Sequence, residues 1–179
     1  MSDELDSAGM PPHIAGEFYL WLWFRSDTGP GTLEVPDAAS VTFWVDDRLS
    51  FRSPGEDKVS AVMTGENPGT TPEARAALLG GKVLRDVRLA LRREEREYAV
   101  TLRGPGIEIA GAKLPGLVKG GEEAEVLYER MFLYEEIHWI IGALFRQFAQ
   151  ERPGTEWKAE IVPALREWAN WKPRGGDEG

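Results

Sequence analysis

The chain of 179 residues contains no cysteine and only two histidines. Without a thiol, disulfides, thiolate metal sites and cysteine nucleophiles are excluded, and a reducing cytoplasm is the expected location. No run of about 20 apolar residues occurs, so the sequence predicts no membrane span. The acidic start, with Asp3, Glu4 and Asp6, does not resemble a secretory signal. A formal net charge of −9 argues against a polyanion-binding surface over the whole protein.

Patterns typical of catalysis are also scarce. There is no glycine-rich phosphate loop and no serine in a nucleophile elbow. His138 has Tyr134 and Gly142 four positions away, where a second metal ligand would be needed. We therefore predict a protein without catalytic residues, metal or cofactor.

An enzyme is the third functional hypothesis, because three carboxylates could take part in catalysis. Asp46 and Asp47 form an adjacent pair, but at the tip of a hairpin such residues usually serve the turn. Glu135 lies three residues before His138 and is the only acid at a spacing that suits it. Metal-dependent hydrolysis by Asp46, Asp47 or Glu135 is much less favoured than a non-catalytic function.

A long amphipathic helix is the clearest element. From residue 121 to residue 152, apolar side chains recur at steps of three and four, which is typical of a helix with one apolar stripe. The stripe consists of Leu127, Met131, Tyr134, Ile137, Ile141, Leu144, Phe145 and Phe148. Pro153 and Gly154 end the helix. We expect the stripe to be buried against the rest of the chain.

The region before this helix is predicted to be an antiparallel sheet. Alternation at 41–45 and 49–52, around Asp46 and Asp47, indicates a hairpin. Further strands are expected from Val59, over 83–91 and 98–102, and around Ile109. Between them, Thr71 and Pro72 begin a short helix that Gly80 and Gly81 end.

The run from Phe18 to Phe24 is the most aromatic part of the chain, and almost every position in it is apolar. Periodicity alone does not separate helix from strand in such a run. The predicted fold is α+β: an antiparallel sheet of about five to six strands packed against the long C-terminal helix, with an aromatic N-terminal helix and a final short helix. Pro163 predicts that the final helix is kinked or begins late. The predicted organisation is a disordered leader at 1–12, one domain at 13–172 and a disordered tail at 173–179.

Two groups of residues are candidate contact sites. An arginine-rich hairpin would suit phosphate oxygens, although the same charges also protect an exposed strand from pairing edge to edge. The candidate DNA-phosphate contacts are Arg85, Arg88, Arg92, Arg93 and Arg96. Aromatic side chains are typical of interface centres, with core packing as the alternative. The candidate partner interface is Tyr19, Trp21, Trp23, Trp157, Trp168 and Trp171.

Four segments together resemble the C-terminal half of the RdgC-like recombination-associated proteins, in their divergent bacterial branch. They are Gly16–Asp27, Val41–Phe51, Thr64–Leu91 and Tyr128–Trp168. The resemblance implies a non-enzymatic protein associated with double-stranded DNA, which forms a ring-shaped dimer and restrains a RecA-type recombinase. The N-terminal half of that family has no counterpart in this chain.

Two functional hypotheses follow. The first is a non-catalytic RdgC-like domain in DNA recombination or replication, acting as a DNA-associated or assembly module. The second is a scaffold domain that binds a protein through its aromatic surface without touching DNA. The expected partners are double-stranded DNA, and a protein partner or a second copy of the chain, with no membrane.

Overall fold

The computed structural model describes residues 12–29, 31–35, 38–56, 58–116 and 121–170. This part of the chain contains helices and strands in an α+β arrangement, which confirms the predicted fold class. The elements are α1 (Pro12–Thr28), β1 (Thr32–Leu33), β2 (Val41–Arg52), β3 (Val59–Thr64), α2 (Pro72–Leu79), β4 (Val83–Arg93), β5 (Arg96–Arg103), β6 (Glu108–Lys113), α3 (Glu123–Glu151) and α4 (Val162–Asn170). The predicted leader, apart from Pro12, and the predicted tail at 173–179 lie outside the described residues.

The strands form one antiparallel sheet with the order β1-β2-β4-β5-β6, and β3 pairs with the second half of β2. Side chains alternate between the two faces of a strand, and here the alternation separates core from solvent. Phe43, Leu89 and Val100 are buried on one face. Thr42 and Arg92, a cross-strand pair on the other face, are exposed. Within the described residues the helices lie against the first face, where α1 packs on β2 and β4.

Strand β2 corrects the predicted hairpin at Asp46 and Asp47. The chain does not reverse there but continues as one strand of twelve residues. The pairing with β4 passes from Val45–Leu89 to Leu49–Val87, so four steps along β2 match two along β4. The extra residues form a bulge, because both halves of β2 must keep their apolar side chains on the covered face.

Local signals located α2 and the turn between β4 and β5 correctly. The Thr71 hydroxyl accepts a hydrogen bond from the Ala74 amide at 3.3 Å, and Pro72 opens the helix. Gly81 then adopts a φ of 82°, a left-handed conformation in which a side chain would be strained. These interactions lie within a few residues of one another, so sequence spacing was sufficient to predict them.

Helix α1 is surrounded by the rest of the domain. Phe18, Leu22 and Trp23 are almost completely buried, whereas Leu20 is half-buried and the Glu17 side chain is 38% exposed. The ring of Trp23 lies 6.4 Å from Phe51 of the sheet and 4.8 Å from Trp168 of α4. A helix that is apolar all round is stable only when it is enclosed.

The C-terminal end of α3 is tied to α1 by polar contacts. Glu151 accepts hydrogen bonds from Trp21 Nε1 at 3.0 Å and from Arg25 at 2.8 Å. Arg152, which follows α3, donates to Glu17 at 2.5 Å. Each pair joins residues more than 120 positions apart in the sequence. The first helix is therefore fixed by the last part of the domain.

Helix α3 buries only part of the predicted stripe. Ile137, Ile141, Leu144 and Phe148 are buried, but the expectation was wrong for Leu127, Met131 and Tyr134, which are exposed. The core contacts of α3 are concentrated in its second half and on a face that includes Leu133, Glu136 and Ile140. After α3, the chain is helical again from residue 155 and passes through a π-helical segment at Trp157–Ile161 directly into α4, which begins at Val162 beside Pro163.

Candidate interaction surface

The arginine-rich hairpin consists of β4, β5 and their connecting turn. In the structure the positive charges of its arginines are paired with carboxylates. Arg85 and Arg103 lie 3.1 and 3.9 Å from Asp86. Arg88 lies 3.5 Å from Asp46 and 3.4 Å from Asp47. The bulge in β2 therefore brings Asp46 and Asp47 to a guanidinium group.

The remaining arginines of the hairpin are paired in the same way. Arg92 contacts Glu97 at 2.5 Å at the exposed surface. Arg93 and Arg96 both reach Glu136 of α3, at 2.9 and 3.1 Å. Arg96 also lies 3.8 Å from Glu94, so across the hairpin six arginines are paired with six carboxylates. A phosphate would have to displace a carboxylate from most of the predicted contact residues, which weakens the case for DNA contact here.

Glu136 is the buried centre of one of these networks. Its side chain is only 4% exposed, and besides Arg93 and Arg96 it accepts a short hydrogen bond from the Tyr98 hydroxyl. Burial raises the pKa of the Tyr98 phenol well above its usual value, and the neighbouring Glu136 carboxylate raises it further. This cluster fastens the middle of α3 to the turn between β4 and β5.

The predicted aromatic interface is largely part of the core. Tyr19, Trp21 and Trp23 are at most 1% exposed, and Trp168 is also buried. These four side chains are not available to a partner in the folded domain, because they are packed in its core. Trp157 is half-buried and packs 5.6 Å from Phe148, whereas Trp171 lies outside the described residues.

A cavity of about 610 Å³ opens beside α4 and is lined in part by Phe24 and Trp168. Its charged groups are Asp27, Arg75 and Glu167. Asp27 accepts hydrogen bonds from Arg75 and from Trp168 Nε1, both at 2.6 Å. Because the Asp27 carboxylate is held by these two donors, the geometry indicates a structural network between α1, α2 and α4.

The surface that distinguishes this domain lies on residues 127–139 of α3. Six large apolar side chains are exposed there by 42 to 71%. They are Leu127, Tyr128, Met131, Phe132, Tyr134 and Trp139, and we call them the α3 apolar surface. Monomeric proteins rarely expose so large a contiguous apolar area without a binding role.

Sequence reasoning missed this surface although a signal was present. Tyr128, Phe132 and Trp139 lie off the predicted stripe, so the helix is apolar on more than one side between residues 127 and 139. A helix that needs only one buried face does not require these side chains. Arg93 and Arg96 stack on Trp139 and Phe132, with 5.3 and 5.7 Å between guanidinium carbon and ring centre, and leave both rings exposed.

The residues considered for catalysis do not converge. Glu135 and His138 are exposed on α3, and His138 Nδ1 lies 2.9 Å from the Tyr134 carbonyl oxygen. Among the described residues, no group of three His, Asp or Glu side chains is placed to hold a metal ion. No helix in the described ranges has the length and apolar character needed to cross a bilayer.

The fold and this surface define an α+β domain with a solvent-exposed apolar helix. No protein-family model, curated protein or solved structure matches the chain.

Proposed function

We propose that the chain is a non-catalytic, cytoplasmic assembly domain that binds a protein through the α3 apolar surface. Because its sequence resembles RdgC-like proteins, we further propose that the process it serves is DNA recombination or replication. The observation that carries the proposal is the exposure of six large apolar side chains on one helix of an otherwise well-packed domain. Aromatic and methionine side chains are enriched in protein interfaces, which supports a protein partner.

The charge distribution favours protein contact over direct DNA contact. The hairpin arginines are paired with carboxylates, and the net charge of the chain is −9. Phosphate contacts would give an affinity for duplex DNA that falls steeply with salt. We expect no such binding in fluorescence anisotropy with a labelled duplex, even at about 50 mM salt. Binding that weakens steeply with salt and is lost in Arg88→Ala/Arg92→Ala would instead favour the DNA-associated alternative.

Site-specific photo-crosslinking tests where the partner binds. With p-benzoyl-phenylalanine in place of Tyr128, we expect protein adducts in living cells, because this side chain is 71% exposed within the surface. The same probe in place of Trp44, on the uncovered face of the sheet, serves as the matched control and should give none. DNA adducts from position 44 with no adducts from position 128 would overturn the proposal.

The process itself is tested by genetics. Removing the gene should change the frequency of recombination between chromosomal repeats, and the native chain should restore it. Met131→Lys places a charge in the centre of the surface and should fail to restore it at equal protein abundance. An unchanged frequency after removal of the gene would contradict a role in recombination.

A further inference from the structure

A second stripe of residues, on the side of α3 that faces away from the core, has the spacing of a coiled coil. Steps of four and three residues alternate along it, which is the 3.5-residue repeat of a helix that packs against another helix. Six of its eight residues are exposed in the domain, Gly142 is half-buried, and the half-buried Phe145 also packs 5.3 Å from Phe18 of α1. The eight residues are Ala124, Tyr128, Met131, Glu135, His138, Gly142, Phe145 and Ala149.

This stripe is complementary to the same stripe of a second chain whose α3 runs antiparallel to it. If two α3 helices pack with their twofold axis between residues 136 and 137, Glu135 faces the partner's His138, which joins a carboxylate to an imidazole. Met131 then lies over the partner's Gly142, where the missing side chain leaves room for it. In the same register, Ala124 meets the partner's Ala149. Met131 therefore opposes a glycine, Glu135 opposes a histidine, and the ring of Tyr128 faces that of the partner's Phe145.

One flank of the stripe matches equally well. Phe132 comes beside the partner's Trp139, and both rings are exposed in the single chain. Glu125 comes beside the partner's Arg146, again with opposite charges. A parallel arrangement would place each Glu135 beside another Glu135 and each Gly142 beside another Gly142, so it would combine repulsion with a gap. The sequence of the stripe therefore selects the antiparallel register.

The area is sufficient for a stable pair. At about 200 Å² for a large side chain, the exposed fractions of the α3 apolar surface correspond to roughly 600 Å² on each chain. A standard interface buries about 800 Å² on each side, and the polar residues Glu135 and His138 on the stripe and Arg146 on its flank supply the remainder.

We propose that the occupant of the α3 apolar surface is a second copy of this chain, held as an antiparallel helix pair centred between residues 136 and 137. This inference rests on the proposed function and names the partner of that surface. Sedimentation velocity should show a species of twice the 20.0 kDa monomer mass at micromolar concentration.

Charge exchange tests the register. His138→Glu places two carboxylates opposite each other at both symmetric contacts and should weaken dimerisation about tenfold or more. Glu135→Lys removes the same pairing and should also weaken it. The double variant Glu135→Lys/His138→Glu restores opposite charges and should recover the native dissociation constant. Both sites are exposed in the monomer, so circular dichroism and the melting temperature of all three variants should show an intact fold.

Disulfide trapping gives an independent measurement, since the native chain has no cysteine. An equimolar mixture of Glu135→Cys and His138→Cys chains should form the mixed covalent dimer under mild oxidation. Tyr128→Cys is the matched control on the same face. In the antiparallel register the two copies of residue 128 are separated by about 25 Å along the helix axis, so no disulfide should form.

The outcomes separate this inference from the proposed function. A chain that stays monomeric up to about 200 μM, a Tyr128→Cys disulfide, or failure of the double charge exchange to restore pairing would overturn the antiparallel dimer. If the photo-adducts from position 128 then contain a different polypeptide, the interaction function stands without self-pairing. If position 128 gives no protein adduct and the chain is monomeric, both are wrong.

Discussion

Replacing Glu136 by glutamine should destabilise the domain by about 2 kcal/mol. Removing one member of a buried ion pair usually costs about 3–5 kcal/mol, because the other charge is left buried and unpaired. Here the side chains of Arg93 and Arg96 are 20 and 34% exposed, so they regain part of their hydration and the cost falls below that range. The glutamine keeps the shape of the glutamate and can still bond to the Tyr98 hydroxyl.

Urea unfolding, followed by the fluorescence of the buried tryptophans, measures this effect. The midpoint should fall while the slope with denaturant stays the same, since the surface exposed on unfolding is unchanged. Glu97→Gln is the matched control, because that carboxylate forms an exposed pair with Arg92 and should change stability by less than about 0.5 kcal/mol. Equal effects of the two substitutions would refute the view that Glu136 fastens α3 to the sheet.

Two further predictions concern the core. The buried phenols of Tyr19 and Tyr98 have pKa values raised above the usual value of 10, mainly by burial. The contribution of these two phenols to the free energy of unfolding should therefore be constant below pH 10 and fall above it by about 1.4 kcal/mol per pH unit for each tyrosine, as the unfolded chain loses protons that the folded chain keeps. Gly69→Ala should destabilise by about 3 kcal/mol, because the added Cβ would overlap the buried indole of Trp23.

Each of these has its control. Tyr98→Phe should reduce the slope above pH 10, and an unchanged slope in a fluorescence-monitored alkaline titration would show that this phenol does not contribute. Gly29→Ala adds a methyl group where no atom lies within 4 Å and should leave the urea midpoint nearly unchanged. If Gly69→Ala were equally harmless, the close packing of residue 69 on Trp23 would be wrong.

Local interactions explain what the sequence predicted well. The cap of α2 at Thr71, its end at Gly81 and the 29-residue α3 all depend on spacings within a few residues. Those spacings are the same in the sequence and in the folded chain. The order of strands and helices, and hence the fold class, could be predicted from them.

The remaining features depend on contacts between distant segments. The bulge at Asp46 is imposed by pairing with β4, and Arg93 meets Glu136 across 43 residues of sequence. Which part of α3 is buried depends on where the sheet and α1 end. A periodic pattern within the helix carries no information about those positions. The apolar character of Leu127 was visible, but its exposure could be seen only in the fold.

The attachment of α1 to the far end of α3 has a consequence for synthesis. At about 5–20 residues per second, the ribosome needs roughly 6–25 seconds to make the chain between Trp21 and Glu151. During that interval the aromatic helix has neither Phe148 nor Trp168 to cover it. A nascent chain halted before α3 should therefore be held by ribosome-associated chaperones, and fragments ending near residue 116 should precipitate when released.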